Sequence, residues 1–169
     1  NTGSLGQGLS IACGLAAGLR IDGRPSRVYC VAGDGEMAEG QIWEAAMAAA
    51  HFKLDNLTAV LDRNRLMATG PIAERFETGP LDEKWRAFGW RVFEIDGHDM
   101  AAILAALDAA TEVRGRPQMI IARTVKGCGV AFAENKAAFH NGMLDAAQFE
   151  SACRALASSK ADGAMRLRA

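Results

Sequence analysis

Residues 31–40 read VAGDGEMAEG, and the fold turns on how this stretch is read. A short run rich in β-formers, Arg27 to Ala32 (RVYCVA), leads into Gly33-Asp34-Gly35. Such a run has the length and composition of a buried strand. Glycines directly after a strand let the backbone approach a phosphate closely. Asp34 is the anomaly among them, because a carboxylate repels a phosphate.

The flanks build a strand–helix–strand unit around it. MAEGQIWEAAMAAAHF (37–52) has helical spacing, with Ile42, Trp43, Ala46, Met47 and Ala50 expected to face inward. NLTAVLD (56–62) is a second strand that ends near Asn64. Two strands joined by one helix run parallel, through a right-handed crossover. Asp34 and Asn64, thirty residues apart, are thereby brought to one edge of the sheet. Ligands bind beyond that edge, at the carboxyl ends of the strands.

A carboxylate oxygen and an amide oxygen are hard ligands, suited to Mg²⁺ or Ca²⁺. A divalent cation turns Asp34 from a repulsive neighbour into a bridge to phosphate. The helix after Gly35 adds its positive end. Two further readings of these residues stay open at this point. Gly33 to Ala38 satisfies G-x-G-x-x-A, a dinucleotide-binding pattern. Asp34 and Glu36 would then face a pyrophosphate with no metal between. Alternatively, Asp34 only caps a helix and Asn64 only makes a turn.

Strand and helix alternate through the rest of the chain. Residues 4–20 read as a helix with Leu5, Leu9, Ala12, Leu15, Ala16 and Leu19 near one face. Residues 63–80 read as an ordered loop, DEKWRAFG as a short helix and 90–95 as a third strand. Asp99 caps a helix over 100–112, with Met100, Ile103, Leu104 and Leu107 in phase. Residues 118–123 form a fourth strand, and a long glycine-containing loop follows. Asp145 and Gln148 make a capping box for a last helix carrying Phe149, Cys153 and Leu156. His98, in DGHD, is expected to shape a turn, and His51 to be structural. The class is α/β, a parallel sheet flanked by helices. One domain is expected over 1–157, with 158–169 as a frayed tail.

Composition narrows the function classes. The 169 residues carry a net charge of −1 and no basic block with interleaved aromatics, so nucleic acid is not expected as a partner. The longest apolar stretch, Gly8 to Leu19, is too short to span a membrane. Its Gly14-x-x-x-Gly18 suits close packing of a helix on a neighbour. Cys13, Cys30, Cys128 and Cys153 form no C-x-x-C and read as buried free thiols. That favours a reducing compartment, and the cytoplasm is expected.

The spacing from GDG to Asn64 resembles the thiamine-diphosphate signature. Together with TGSLGQGLS, DRNRLMATG, DGHD and KGCGVAFAENKAAFH, it makes residues 1 to about 150 resemble the diphosphate-binding, N-terminal part of transketolase. The resemblance implies that Asp34 and Asn64 are side-chain ligands of Mg²⁺ and that Leu66 lends its backbone carbonyl. It implies that Gly35 meets the diphosphate through its backbone and that Gly3, Ser4 and Leu5 lie along the cofactor. Many members have proline where this chain has Ser4, which leaves the backbone contact possible. The signature often ends in Asn-Asn; here Arg63-Asn64 keeps the ligand and changes its neighbour. His140 matches a histidine that reaches the diphosphate and the substrate.

The implied reaction moves a two-carbon ketol unit from a ketose phosphate to an aldose phosphate, with thiamine diphosphate as cofactor. The family also carries histidines upstream of TGSLGQG and a pyrimidine-binding domain whose glutamate activates the cofactor. Neither lies in this stretch, which opens on Asn1. The expectation is a chain lacking upstream residues, working with a pyrimidine-binding subunit or a missing C-terminal domain. The way the last helix ends favours a split, two-subunit enzyme, and a site shared between subunits implies a dimer of pairs or larger as the expected working form. Alternatives are a 2-oxo acid dehydrogenase subunit, a deoxyxylulose-phosphate synthase, or a non-catalytic assembly subunit. TGSLGQG argues against the first two and the intact Asp34, Asn64 and Leu66 set against the third.

Overall fold

A computed structural model describes residues 3–161. Four parallel strands form the sheet: β1 (Val28–Gly33), β2 (Leu57–Arg63), β5 (Arg91–Asp96) and β6 (Gln118–Arg123), in the order β1-β2-β6-β5. The small strands β3 (Leu66–Met67) and β4 (Gly70–Pro71) make a separate hairpin inside the expected loop. The helices are α1 (Gln7–Ile21), α2 (Gly40–His51), α3 (Ile72–Arg75), α4 (Leu81–Ala87), α5 (Met100–Thr111) and α6 (Ala146–Ala161). A short 3-10 turn, Gly35–Ala38, joins β1 to α2. The α/β class and the four parallel strands agree with the expectation.

Side chains alternate across the pleat and so divide the core in two. One face of the sheet, with Cys30, Ala32, Ala59, Leu61, Met119, Ile121 and Val92, packs against α1, α2 and α4. The other meets α5 through Ile120, Ala106 and Ala110, with Val60 and Phe93 beside them. Trp85 and Trp90 fill the larger core, their ring centroids 4.8 Å apart. Trp43 stacks on Phe88 at 5.2 Å, and its indole N–H donates to the Met37 carbonyl at 3.0 Å.

Several inward assignments are corrected. Along α1, Leu9, Ala12 and Ala16 are buried, but Leu15 is more than half exposed, as is Leu5, which falls just ahead of the helix. This helix is apolar nearly all round, so its periodicity does not single out the packed stripe. Met47, Met100 and Leu104 are likewise exposed, and smaller residues take their places: Ala45 and Ala49 on α2, Ala106 and Ala110 on α5. Close helix–sheet approach selects alanine there. β1 is buried on one face only; Tyr29 and Val31 on the other are 50% and 74% exposed. On α6, Phe149 and Cys153 are exposed and Ala152 is the buried residue. All four cysteines are free, but Cys128 is exposed like Cys153, so only Cys30 is buried and Cys13 half-buried.

The caps agree with the sequence. Asp99 Oδ1 accepts from the N–H groups of Ala101 and Ala102 at 2.8 and 3.2 Å. Asp145 and Gln148 exchange bonds at 2.8 and 3.1 Å, the reciprocal geometry of a capping box. Residues 158–161, expected in the tail, continue α6, while 162–169 lie outside the described residues. Among the described residues no helix is long and apolar enough to cross a membrane.

Candidate functional site

The carboxyl edge of the sheet gathers the expected residues. β1 and β2 pair in parallel with Gly33 opposite Asp62, and Asp34 N–H donates to the Asp62 carbonyl at 3.2 Å. Asp34 therefore leaves β1 at the level where β2 turns away. Its side chain does not cap the 3-10 turn. Instead Asp34 Oδ2 accepts from the Arg65 N–H at 2.5 Å. Arg65 reaches it with φ of 64°, in the left-handed region that costs an ordinary residue about 1–2 kcal/mol. The turn Asn64-Arg65-Leu66 is thus wrapped around the Asp34 carboxylate.

Asp34 is only 2% exposed, and no lysine or arginine pairs with it among the described residues. Burial pushes its carboxyl above the usual range; the N–H groups of Arg65 and Gly35 pull the other way, and Asp62 adds to the rise. A desolvated carboxylate without a cationic partner is costly unless a cation joins it. Beside it Asn64 is bonded at both ends. Asn64 Nδ2 donates to Asp62 Oδ2 at 3.0 Å, and the Leu66 N–H donates to Asn64 Oδ1 at 3.0 Å. Thr124 donates its hydroxyl to the remaining oxygen, Asp62 Oδ1.

A cavity of about 190 Å³ opens here, lined by Asp34, Arg63, Arg65, Ile72, Glu77 and Thr78 among others. Gly35 faces Met67: a Cβ at Gly35 would lie 3.2 Å from Met67 Cγ, so a side chain there would have to push the methionine back by a few tenths of an ångström. Among the described residues no three His, Cys, Asp or Glu side chains gather to hold a metal. The edge offers another donor set: one carboxylate and one amide oxygen that keeps a second lone pair. Hard oxygens of this kind suit Mg²⁺ or Ca²⁺.

The other expected residues sit farther out. Gly3, Ser4 and Leu5 are exposed just ahead of α1. Their segment is tethered to the edge, because the Gly6 N–H donates to Glu36 Oε1 at 2.7 Å. His140 is exposed at the end of a 3-10 turn, Ala137–Phe139, in the long loop after β6. It is not among the residues that line the cavity. His98 does shape its turn, and it also binds the loop after β6: the Val125 N–H donates to His98 Nε2 at 2.8 Å. Sequence reasoning did not find Glu36, Asp62, Arg65 or Thr124 as parts of the edge. Their signal is positional only, each lying within two residues of a strand end or glycine turn.

The fold and this edge define the class: an α/β protein with a buried carboxylate where two adjacent parallel strands end. The family model described as transketolase, thiamine diphosphate binding domain, matches residues 1–162, and the chain belongs to that family. It is 48% identical over 143 residues to the 6-deoxy-6-sulfo-D-fructose transketolase subunit SqwG of Clostridium sp. strain MSTE9, covering 85% of this chain and 52% of that one. It is 41% identical over 154 residues to an apulose-4-phosphate transketolase subunit from Phocaeicola vulgatus, covering 91% and 55%. The crystal structure of transketolase from Campylobacter jejuni superposes with a TM-score of 0.85 at 30% identity, over 90% of this chain and 25% of that one. The chain thus spans about half the length of these two curated relatives.

Proposed function

We propose that this chain is the diphosphate- and metal-binding part of a transketolase-type enzyme. It would transfer a two-carbon ketol unit from a ketose phosphate to an aldose phosphate. The observation that carries the reading is the buried Asp34 carboxylate, paired with no lysine or arginine among the described residues and held against the Asn64–Leu66 turn. Both relatives named above are transketolase subunits, which supports a separate partner. That partner would bring the pyrimidine-binding domain and its glutamate, in a dimer of pairs. The free thiols favour a reducing, cytoplasmic setting.

Asp34, Asn64 Oδ1 and the Leu66 carbonyl would hold Mg²⁺, with Ca²⁺ as a substitute. Gly35 would present its N–H to the diphosphate, and the Gly3–Leu5 backbone would lie along the cofactor. When bound, thiamine diphosphate supplies the carbanion chemistry of the transfer. This chain's residues bind and orient it. His140 would donate to the diphosphate or exchange a proton with a substrate hydroxyl.

Calorimetry of the chain with its partner tests the reading. Thiamine diphosphate binding should require Mg²⁺, vanish in EDTA and vanish in Asp34→Ala. Binding that survives both treatments overturns it. The chain alone should show no ketol transfer, and turnover by the purified chain would contradict the need for a partner.

A further inference from the structure

Asn64 is the one amide in the candidate metal set, and an amide has two unlike ends. Only its oxygen can ligate a metal. The structure fixes which end points where, by chemistry at both ends. Asp62 Oδ2 is an acceptor, so the atom 3.0 Å from it is the Asn64 NH₂ group. The Leu66 N–H is a donor, so the atom 3.0 Å from it is Asn64 Oδ1. A flipped amide would set oxygen against oxygen and N–H against N–H.

Asp62 is itself held. Its other oxygen accepts the Thr124 hydroxyl across the β2–β6 pair, where Asp62 lies opposite Ala122. Thr124 is seated by the turn after β5. The Gly97 N–H donates to the Arg123 carbonyl at 2.7 Å, and the Val125 N–H donates to His98 Nε2 at 2.8 Å. A Cβ on Gly97 would collide with the Thr124 methyl and lie 3.0 Å from the Arg123 oxygen. DGHD thus grips both neighbours of Thr124, and the bonds run on through Asp62 to Asn64.

We propose that Asp62 and Thr124 are positioning residues that hold the Asn64 amide with its oxygen toward the metal, and that the Gly97-His98 turn sets Thr124 for this task. The inference rests on the proposed function. Partners behind a metal ligand typically matter by about 10–100-fold in metal affinity.

The test uses Thr124→Val, which keeps the shape and removes the hydroxyl, and Thr124→Ser, which keeps the hydroxyl. Mg²⁺ is titrated by calorimetry into the chain and partner at saturating thiamine diphosphate. The Asn64 side-chain NH₂ resonances of the metal-free chain, assigned by their loss in Asn64→Asp, report the bond directly. Thr124→Val should weaken Mg²⁺ by about 10–100-fold and speed exchange of the Asn64 amide protons. Thr124→Ser should stay within a few-fold of wild type, a rescue that mere packing would not give. If Thr124→Val has wild-type Mg²⁺ affinity and wild-type Asn64 resonances, the inference is overturned. If the wild-type assembly shows no Mg²⁺-dependent binding, the proposed function falls, while unchanged Asn64 resonances in Thr124→Val would separately remove the bond.

Discussion

Glu36 Oε1 lies 2.7 Å from the backbone nitrogen of Gly6, thirty residues earlier in the chain. The other oxygen of the same carboxylate accepts from the Gly33 N–H at 3.3 Å. The second acid of GDGE therefore faces the protein's own backbone. It ties the Gly3–Leu5 segment to the strand end that carries Asp34. Gly6 has φ of 84°, and a Cβ there would lie 3.0 Å from Glu39 Cβ, so the contact needs glycine.

Removing this tether should loosen the segment before it affects the sheet. Glu36→Ala is expected to cost about 1.5–3 kcal/mol, the range for hydrogen bonds to a charged group. The Gly6 amide should lose protection from hydrogen exchange, while amides of β2 and β6 keep theirs. Glu36→Gln, which retains an acceptor oxygen, should fall between. A Gly6 amide equally protected in Glu36→Ala would show that the segment is held by something else.

The sheet was legible because its strands are short, β-rich and bounded by turn residues; the limits of β6 match residue for residue. The pairing of Asp34 with the 64–66 turn followed from parallel topology alone. Which apolar residues are buried was less legible. Leu15 and Leu104 have the spacing of core residues, yet Ala12 and Ala16 of the same expected stripe on α1, and Ala106 and Ala110 at other phases on α5, are the residues that are buried. Periodicity reports an apolar stripe and not the distance at which it packs. Val31 misled for a related reason: β1 reads as a two-sided strand but sits at the sheet edge with one face covered. Glu36 and Thr124 stayed hidden because they bond to Gly6 and Asp62, far along the chain, and Asp62 because its link to Thr124 is equally distant; no local pattern encodes such pairs.

The two fully packed tryptophans should differ in what their ring nitrogens contribute. Trp90 Nε1 donates to the Ala46 carbonyl at 3.0 Å. Trp85 Nε1 is buried with no hydrogen-bond partner among the described residues. Replacement by phenylalanine removes similar volume at both sites, so the cavity cost is similar. Trp90→Phe also loses a hydrogen bond, whereas Trp85→Phe removes an unsatisfied N–H. Trp90→Phe should be the more destabilising by about 1–3 kcal/mol in urea denaturation. Equal losses, or the reverse order, would mean that ring packing alone governs both positions.

The cysteines should separate into two kinetic classes. Burial pushes the Cys13 thiol up to about 11, with Cys30 adding to the rise. Burial likewise raises Cys30, with Glu36 as the second cause. The thiolate is the reactive form, so a raised pKa means slower alkylation below it. At pH 8 roughly one Cys13 in a thousand is ionised, a consequence of the three-unit gap. Iodoacetamide should label Cys128 and Cys153 first and the other two only slowly or after unfolding. Peptide mass spectrometry showing Cys13 labelled as fast as Cys128 would contradict the packing of α1 on α2.

His140 offers the cleanest separation of stability from turnover. It is exposed, and its backbone N–H closes the 3-10 turn by donating to the Ala137 carbonyl at 2.9 Å. Substitution leaves that backbone bond in place. Exposed substitutions away from special features usually change stability by no more than about 0.5 kcal/mol. The proposed function gives the imidazole a second duty as proton donor or acceptor, and positioned groups of that kind contribute about 10²–10⁴ in rate. His140→Ala in the assembly with its partner should therefore melt within a degree or two of wild type, by the same principle of small surface effects. Its kcat at saturating cofactor should fall by about a hundredfold or more. Cofactor affinity, measured in parallel, divides the loss between diphosphate binding and proton transfer. A variant with wild-type melting, wild-type affinity and kcat within a few-fold of wild type would leave His140 as a loop residue and remove it from the site.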